Sequence, residues 1–129
     1  MVNPTFWSGR RVVVTGHSGF KGTWLATWLA ELGAEVTGIG RPPTGAPSLF
    51  AASDLPNRID SRFADVRARA HLASILGKAQ PEIIFHLAAQ PLVMQSLRDP
   101  VATFQSNVLG VVTCSMLSAI CRRCGRSSW

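Results

Sequence analysis

VVVTGHSGFKG, residues Val12 to Gly22, decides how the rest of the chain reads. A β-branched run breaks into a turn with glycines at 16, 19 and 22, and an amphipathic stretch follows. The pattern predicts a strand, a loop and a helix that together cradle a diphosphate. Gly16 can take the positive φ that a strand needs to reverse into a helix. Gly19 has no Cβ to hold a pyrophosphate off the backbone, and Gly22 lets the first helical turn pack closely on the strand. Unpaired N–H groups at the helix start would face the phosphates, helped by a dipole equivalent to about half a positive charge. Such a loop reads linked phosphates, not a base sequence. The alternative is a tight strand-to-helix turn with no ligand. Context favours the ligand, because the loop follows Val12, Val13 and Val14 and precedes Leu25, Trp28, Leu29 and Leu32 at helical spacing. Gly33 supplies the stop. A Walker A loop is excluded, since it needs Gly directly before Lys and Phe20 precedes Lys21 here.

Outward from this loop, periodicity alternates strand and helix. Strands are expected at Arg11 to Thr15, Glu35 to Ile39, Ser61 to Ala64 and Glu82 to Leu87, the last apolar on both faces as a central parallel strand is. Helices are expected at Phe20 to Leu32, Ala68 to Lys78 and Pro100 to about Ile120, with proline at a favourable first-turn position in the last. Pro42, Pro43, Gly45 and Pro47 force an irregular loop, and a brief helical turn is expected from Ser48 to Phe50. This order is that of a doubly wound α/β protein, a Rossmann-type parallel sheet of about four strands. Ligands of such sheets bind at the carboxyl ends of the strands, where Gly16, Asp65 and Ala88 fall.

At 129 residues, 47% hydrophobic and 16% charged, the chain has the composition of one ordinary globular domain. No apolar run is read as long enough to span a bilayer, and the three valines after Arg10 and Arg11 are too short for a signal peptide. The expected address is the cytoplasm, with no membrane partner. A net charge of +6 raises the question of nucleic acid. Arg122, Arg123 and Arg126 crowd the end, the other basic residues are scattered, and no aromatics interleave them as a single-strand platform needs. No specific nucleic-acid partner is expected. Cys121 and Cys124 have CxxC spacing, but no second pair or paired histidines accompany them, so no metal is expected.

TGHSGFKG at 15–22, DVR at 65–67, HLAAQPLV at 86–93 and DPVATFQSNVLG at 99–110 together resemble the extended short-chain dehydrogenase/reductase family, in its NAD-dependent epimerase/dehydratase part. The stretches GFKGTWLATWLAELGAEVTG and PPTGAPSLF are similar to the branch of nucleotide-sugar 4,6-dehydratases, lyases, that acts on CDP-glucose. They are less similar to its dTDP-glucose or GDP-mannose branches. The resemblance implies NAD as cofactor and a nucleotide-sugar substrate in a complete enzyme. Position by position it implies that Gly16, Ser18, Gly19, Phe20, Lys21 and Gly22 line the pyrophosphate. It also implies that Asp65 accepts the adenine amino group beside the Val66 backbone. Leu87, Ala88, Ala89 and Gln90 would pass along the ribose and nicotinamide, with Asn107 near the active site. Asp65 is also a good N-cap for the helix after it. The final helix of resembling enzymes packs in a dimer, so the implied assembly is a homodimer.

The chain departs from that pattern in several places. Strand two ends Ile39, Gly40, Arg41, with no acidic residue for a ribose 2′-hydroxyl; Arg41 can meet a 2′-phosphate instead, which leaves NADP open beside NAD. Met94 and Leu97 stand where the family commonly has arginine and tyrosine. Family chemistry starts with a tyrosine phenolate held by a lysine four residues on, and the sequence has no tyrosine. The expectation is residues 1–129 as the N-terminal part of an NAD(P)-binding Rossmann domain, with 110–129 an atypical tail and the substrate domain absent. Such a piece carries no catalytic residues and is inactive. The alternative is a non-catalytic dinucleotide-binding or protein-interaction module.

Overall fold

The computed structural model describes residues 2–120. Along them run α1 (Pro4–Trp7), β1 (Arg11–Thr15), α2 (Phe20–Glu31), β2 (Glu35–Gly40), α3 (Leu49–Ala52), α4 (Leu55–Arg58) and β3 (Asp60–Phe63). Then come α5 (Arg69–Ala79), β4 (Ile83–His86), α6 (Val93–Arg98), α7 (Pro100–Phe104), a π-helical turn (Gln105–Leu109) and α8 (Gly110–Ile120). The four strands form one parallel sheet in the order β3-β2-β1-β4, with Val12 opposite both Val36 and Ile83. The expected Rossmann-type order is therefore present. Helices α1, α4 and α6 were not expected; each is only four to six residues long and shows too little periodicity to read.

Successive β1 side chains point to opposite faces, so each face has its own core. Val13, Ile39 and Ile84 pack with Leu72, Ile75 and Leu76 of α5 and with Cys114 and Leu117 of α8. Val12, Val14 and Val36 pack on the other side with Ala26 and Leu29 of α2, Phe50 of α3 and Leu55 of α4. Fully buried side chains such as Leu29 and Leu72 each contribute about 1.5–3 kcal/mol.

Helix α2 differs from the expected apolar face. It buries Gly22, Thr23, Ala26 and Leu29, while Trp24 and Trp28 are more than half exposed. The close approach at Gly22 leaves room only for small side chains near the loop, which turns the tryptophans outward. Gly33, at φ +83°, ends the turn after this helix as expected.

From Pro100 to Ala119 the helical pieces join into 20 residues that by length and composition could cross a membrane, where no such run was read from the sequence. Buried core helices pass the same test, and Cys114 and Leu117 on this one lie in the core. Cys121, Cys124, Arg122, Arg123 and Arg126 lie outside the described residues. Among the described residues no group of three or more His, Cys, Asp or Glu could hold a metal ion.

Candidate dinucleotide-binding site

The glycine loop lies on the carboxyl rim of the sheet, and its three glycines do three different things. Gly16 has φ +77°, and a Cβ there would come within 2.7 Å of the Leu87 carbonyl carbon. A Cβ on Gly22 would run into the carbonyl oxygen of Gly16. Both are fixed by packing. Gly19, at φ −79°, needs no special conformation, and the nearest atom to an added Cβ is the Gly16 oxygen at 3.4 Å. Space beside Gly19 is therefore open. Gly19 N–H turns back to the Gly16 carbonyl at 3.1 Å, no side chain caps α2, and the N–H groups of Phe20 and Lys21 point onward without an intrahelical acceptor. Phe20 and Lys21 side chains are exposed, Ser18 is half-buried, and Thr23 braces the loop by donating to the carbonyls of His17 at 2.9 Å and Gly19 at 2.7 Å.

Thr15, the last residue of β1, ties this loop to the end of β4. Its hydroxyl oxygen accepts from the N–H groups of Leu87 at 3.1 Å and Ala88 at 3.3 Å. The same hydroxyl pairs with Nδ1 of His86 at 2.7 Å. Burial pushes the His86 pKa down. Leu87 and Ala89 are exposed on the rim, Ala88 is half-buried and Gln90 is buried. Asn107 sits in the π-helical turn, where the widened ladder aims its amide at Gln90 and pairs with both backbone polar atoms of that residue. Met94 and Leu97 are exposed on α6.

The ends of β2 and β3 form the third side. Ser18 donates its hydroxyl to the Arg41 carbonyl at 2.6 Å, fixing the chain after β2 against the loop. The Arg41 side chain is exposed and makes no ion pair among the described residues. Asp65 does not cap α5, whose cap position is Ala68. Its carboxylate instead accepts from the Arg67 backbone N–H at 2.9 Å and from the Arg67 guanidinium, Nη2 at 2.6 Å. That pairing, ahead of all other influences, holds the Asp65 carboxyl below its usual range. Val66 is buried, with its Cγ2 against Gly110 at the start of α8.

His17 was passed over in the sequence because no other histidine lies near it. It is fully buried, with Nε2 2.6 Å from the Ser61 hydroxyl and its ring edge-on to Phe50 and stacked on Phe63. Gly38 and Gly40, two apart on one face of β2, make the slot it fills; that spacing was the available signal. Thr15 was likewise missed, its hydroxyl being visible only once β1 and β4 are neighbours. A hollow of about 670 Å³ lined by Arg11, Glu35, Asp60 and Lys78 lies at the opposite edge of the sheet, away from all these residues.

Loop, strand ends and exposed helix start fit a dinucleotide: the open space at Gly19 and the helix-start N–H groups suit phosphate, and the first turn of α2 has no acidic residue. Comparison with known proteins gives the family. A CDP-glucose 4,6-dehydratase from Salmonella typhimurium is 45% identical over 112 residues, 87% of this chain and 31% of the relative. A UDP-glucose 4-epimerase from Mycolicibacterium smegmatis is 34% identical over 79% of this chain and 32% of that protein. The dTDP-glucose 4,6-dehydratase of Salmonella typhimurium is 28% identical over 78% of this chain and 28% of that one. Among solved structures, the epimerase Mth375 of Methanothermobacter thermautotrophicus superposes with a TM-score of 0.81 at 24% identity, over 92% of this chain and 34% of that one. A UDP-glucose 4-epimerase from Brucella ovis in complex with NAD gives 0.75 at 25% identity, over 89% and 34%. The chain thus spans about a third of the length of the proteins it matches. Residues 13–128 match the family described as GDP-mannose 4,6 dehydratase, and the chain belongs to that family.

Proposed function

We propose that this chain binds NAD(P) through the Gly16 to Gly22 loop, as the N-terminal part of the Rossmann domain of a nucleotide-sugar 4,6-dehydratase. The observation that carries this reading is the difference among the three glycines: two are demanded by packing, and the third faces open space at an uncapped helix start. In the assigned pose, Ser18, Gly19, Phe20, Lys21 and Gly22 hold the pyrophosphate, with Gly16 shaping the turn. Arg41, Asp65 and Val66 border the adenosine. Leu87, Ala88, Ala89 and Gln90 line the ribose and nicotinamide side, where Asn107 holds the Gln90 backbone. When bound, NAD supplies a hydride acceptor. CDP-glucose is the proposed substrate of the complete enzyme, supported by the higher identity to the CDP-glucose enzyme than to the dTDP-glucose one. A cytoplasmic setting goes with this reading, as do the absence of a nucleic-acid or membrane partner and a homodimer.

The 129 residues on their own turn over no substrate in this proposal, because they contain no tyrosine to serve as the phenol base. Calorimetric melting of the soluble chain tests the binding claim. Millimolar NAD or NADP should raise the melting temperature by linkage; an unmoved transition with both would remove the dinucleotide reading. A second reading, an interaction module, is favoured by the apolar side chains of Val101, Phe104, Val108, Val112 and Met116, all at least two-fifths exposed along the last helix.

A further inference from the structure

The outer side of α2 reads Lys21, Trp24, Trp28, Glu31, at spacings of three, four and three residues. At 3.6 residues per turn these four fall within an arc of about 80°, so they form one seam, with Phe20 along its margin. All five are exposed, the two tryptophans by more than half. The inner side of the same helix buries Gly22, Thr23, Ala26 and Leu29, so packing of α2 on the sheet leaves the seam outside. Its charges follow an order: a cation at the start, two indoles, an anion at the end. Lys21 makes no ion pair among the described residues. Glu31 gives Oε1 to the Arg58 guanidinium at 2.6 Å and keeps Oε2 for another donor. An identical helix laid antiparallel presents the complement of this order. Lys21 then faces Glu31 of the second copy, Trp24 faces its Trp28, and both pairs recur across the two-fold axis. Laid parallel, Lys21 would face Lys21 and Glu31 would face Glu31, which repel.

We propose that this seam is a docking surface for a second copy of the chain, joined antiparallel through α2 about a two-fold axis level with Ala26. Four indoles, two from each copy, stack at the centre, and a Lys21 to Glu31 pair closes each end. The exposed parts of Phe20, Trp24 and Trp28 supply about 350 Å² from each copy. With Lys21, Glu31 and the half-buried Leu25 and Thr27 at the margins, the contact reaches about 1,000 Å² in all, the lower bound for a specific interface, so the pair is a weak one. This surface is separate from the last helix, whose Cys114 and Leu117 pack on the opposite face of the sheet. The group Lys21 offers to a pyrophosphate is its backbone N–H at the helix start, which leaves the ammonium to the second copy.

Sedimentation equilibrium of the full chain without cofactor tests this, in a Phe104→Glu background that silences the apolar side of the last helix. The expected result is a reversible monomer–dimer equilibrium with a Kd of about 10–100 μM. Trp24→Glu and Trp28→Glu should each weaken it more than about tenfold. Lys21→Glu and Glu31→Lys should each weaken it about three- to tenfold, and the two combined in one chain should return it to within about twofold of the unswapped value, because only antiparallel pairing puts position 21 opposite position 31. All four positions are exposed, so thermal melts of the variants should stay close to that of the parent and show that the fold is kept. A chain that stays monomeric through about 300 μM, an association that Trp24→Glu leaves unchanged, or a double charge swap no tighter than the single ones overturns the proposal. None of these outcomes bears on dinucleotide binding, which the calorimetric melting reads separately.

Discussion

Asn107 holds Gln90 by both of its backbone polar atoms: the Gln90 N–H donates to Oδ1 at 2.6 Å and Nδ2 donates to the Gln90 carbonyl at 3.2 Å. The Gln90 side chain in turn bonds Leu92, accepting from its N–H at 2.8 Å and donating to its carbonyl at 3.1 Å. Gln90, in the irregular segment after β4, thus has both backbone groups satisfied by one residue of the π-helical turn. Both chain segments would border the nicotinamide side of a bound dinucleotide.

Replacing Asn107 by Leu should leave the Gln90 N–H and carbonyl without partners in a partly buried setting, at a cost of about 1–3 kcal/mol. Asn107→Asp keeps the acceptor and loses the donor, so it should cost less. Urea denaturation of the two variants checks the order; equal costs would mean that the bond Asp retains, from the Gln90 N–H to the side-chain oxygen, contributes nothing.

The glycines should separate in the same assay. Gly22→Ala drives a Cβ into the Gly16 carbonyl and should destabilise the fold by about 1–3 kcal/mol or more. Gly19→Val has room for its Cβ and an ordinary φ, so the midpoint should move less than with Gly22→Ala while dinucleotide affinity falls more than tenfold. A Gly19→Val chain that binds NAD and NADP normally would contradict the pyrophosphate assignment.

Thr15→Val preserves shape and removes the hydroxyl that accepts from Leu87 and Ala88 and pairs with His86. The expected cost is about 1–3 kcal/mol, read from chemical denaturation. Amide exchange should quicken at Ala88, whereas Leu87 keeps its bond to the Thr15 backbone carbonyl and should change less.

Stability should fall on acidification from pH 7 towards pH 5. Burial lowers the pKa of both His17 and His86 below the ordinary 6.5. Below 6.5 the unfolded chain therefore binds more protons than the folded one, so their contribution is full above that pH and is lost as the pH drops through it. Asp65, with its carboxyl held low by Arg67, stays ionised across this window and adds no slope. Denaturation midpoints at pH 7, 6 and 5 check the direction, and His17→Phe should flatten the curve if the slot tolerates the larger ring.

Much of the architecture was readable because the patterns are local. Three valines before a glycine turn, Gly33 after a helical stretch and the apolar Ile83 to Phe85 run each carry their own backbone preference. Helix ends moved by a residue or so, and the short helices α1, α4 and α6 escaped notice because four to six residues hold barely one turn of periodicity. Trp28 misled for a related reason: hydrophobic spacing marks a face as apolar, but only the approach of α2 to β1 at Gly22 says which side chains fit beneath it.

Chain chemistry alone was enough for the parallel α/β order and for the tight turn at Gly16, since both depend on which residues can adopt which local conformation. Folding decided the partners: His17 in the slot of Gly38 and Gly40, Asp65 forked by Arg67 rather than capping α5, Thr15 joined to His86, and Asn107 closed on Gln90. Except for Asp65 and Arg67, these pairs are separated by 17 to 71 residues. Hydrogen bonds of that reach exist only after the sheet has set the distances between its strand ends, and no local pattern along the chain encodes them.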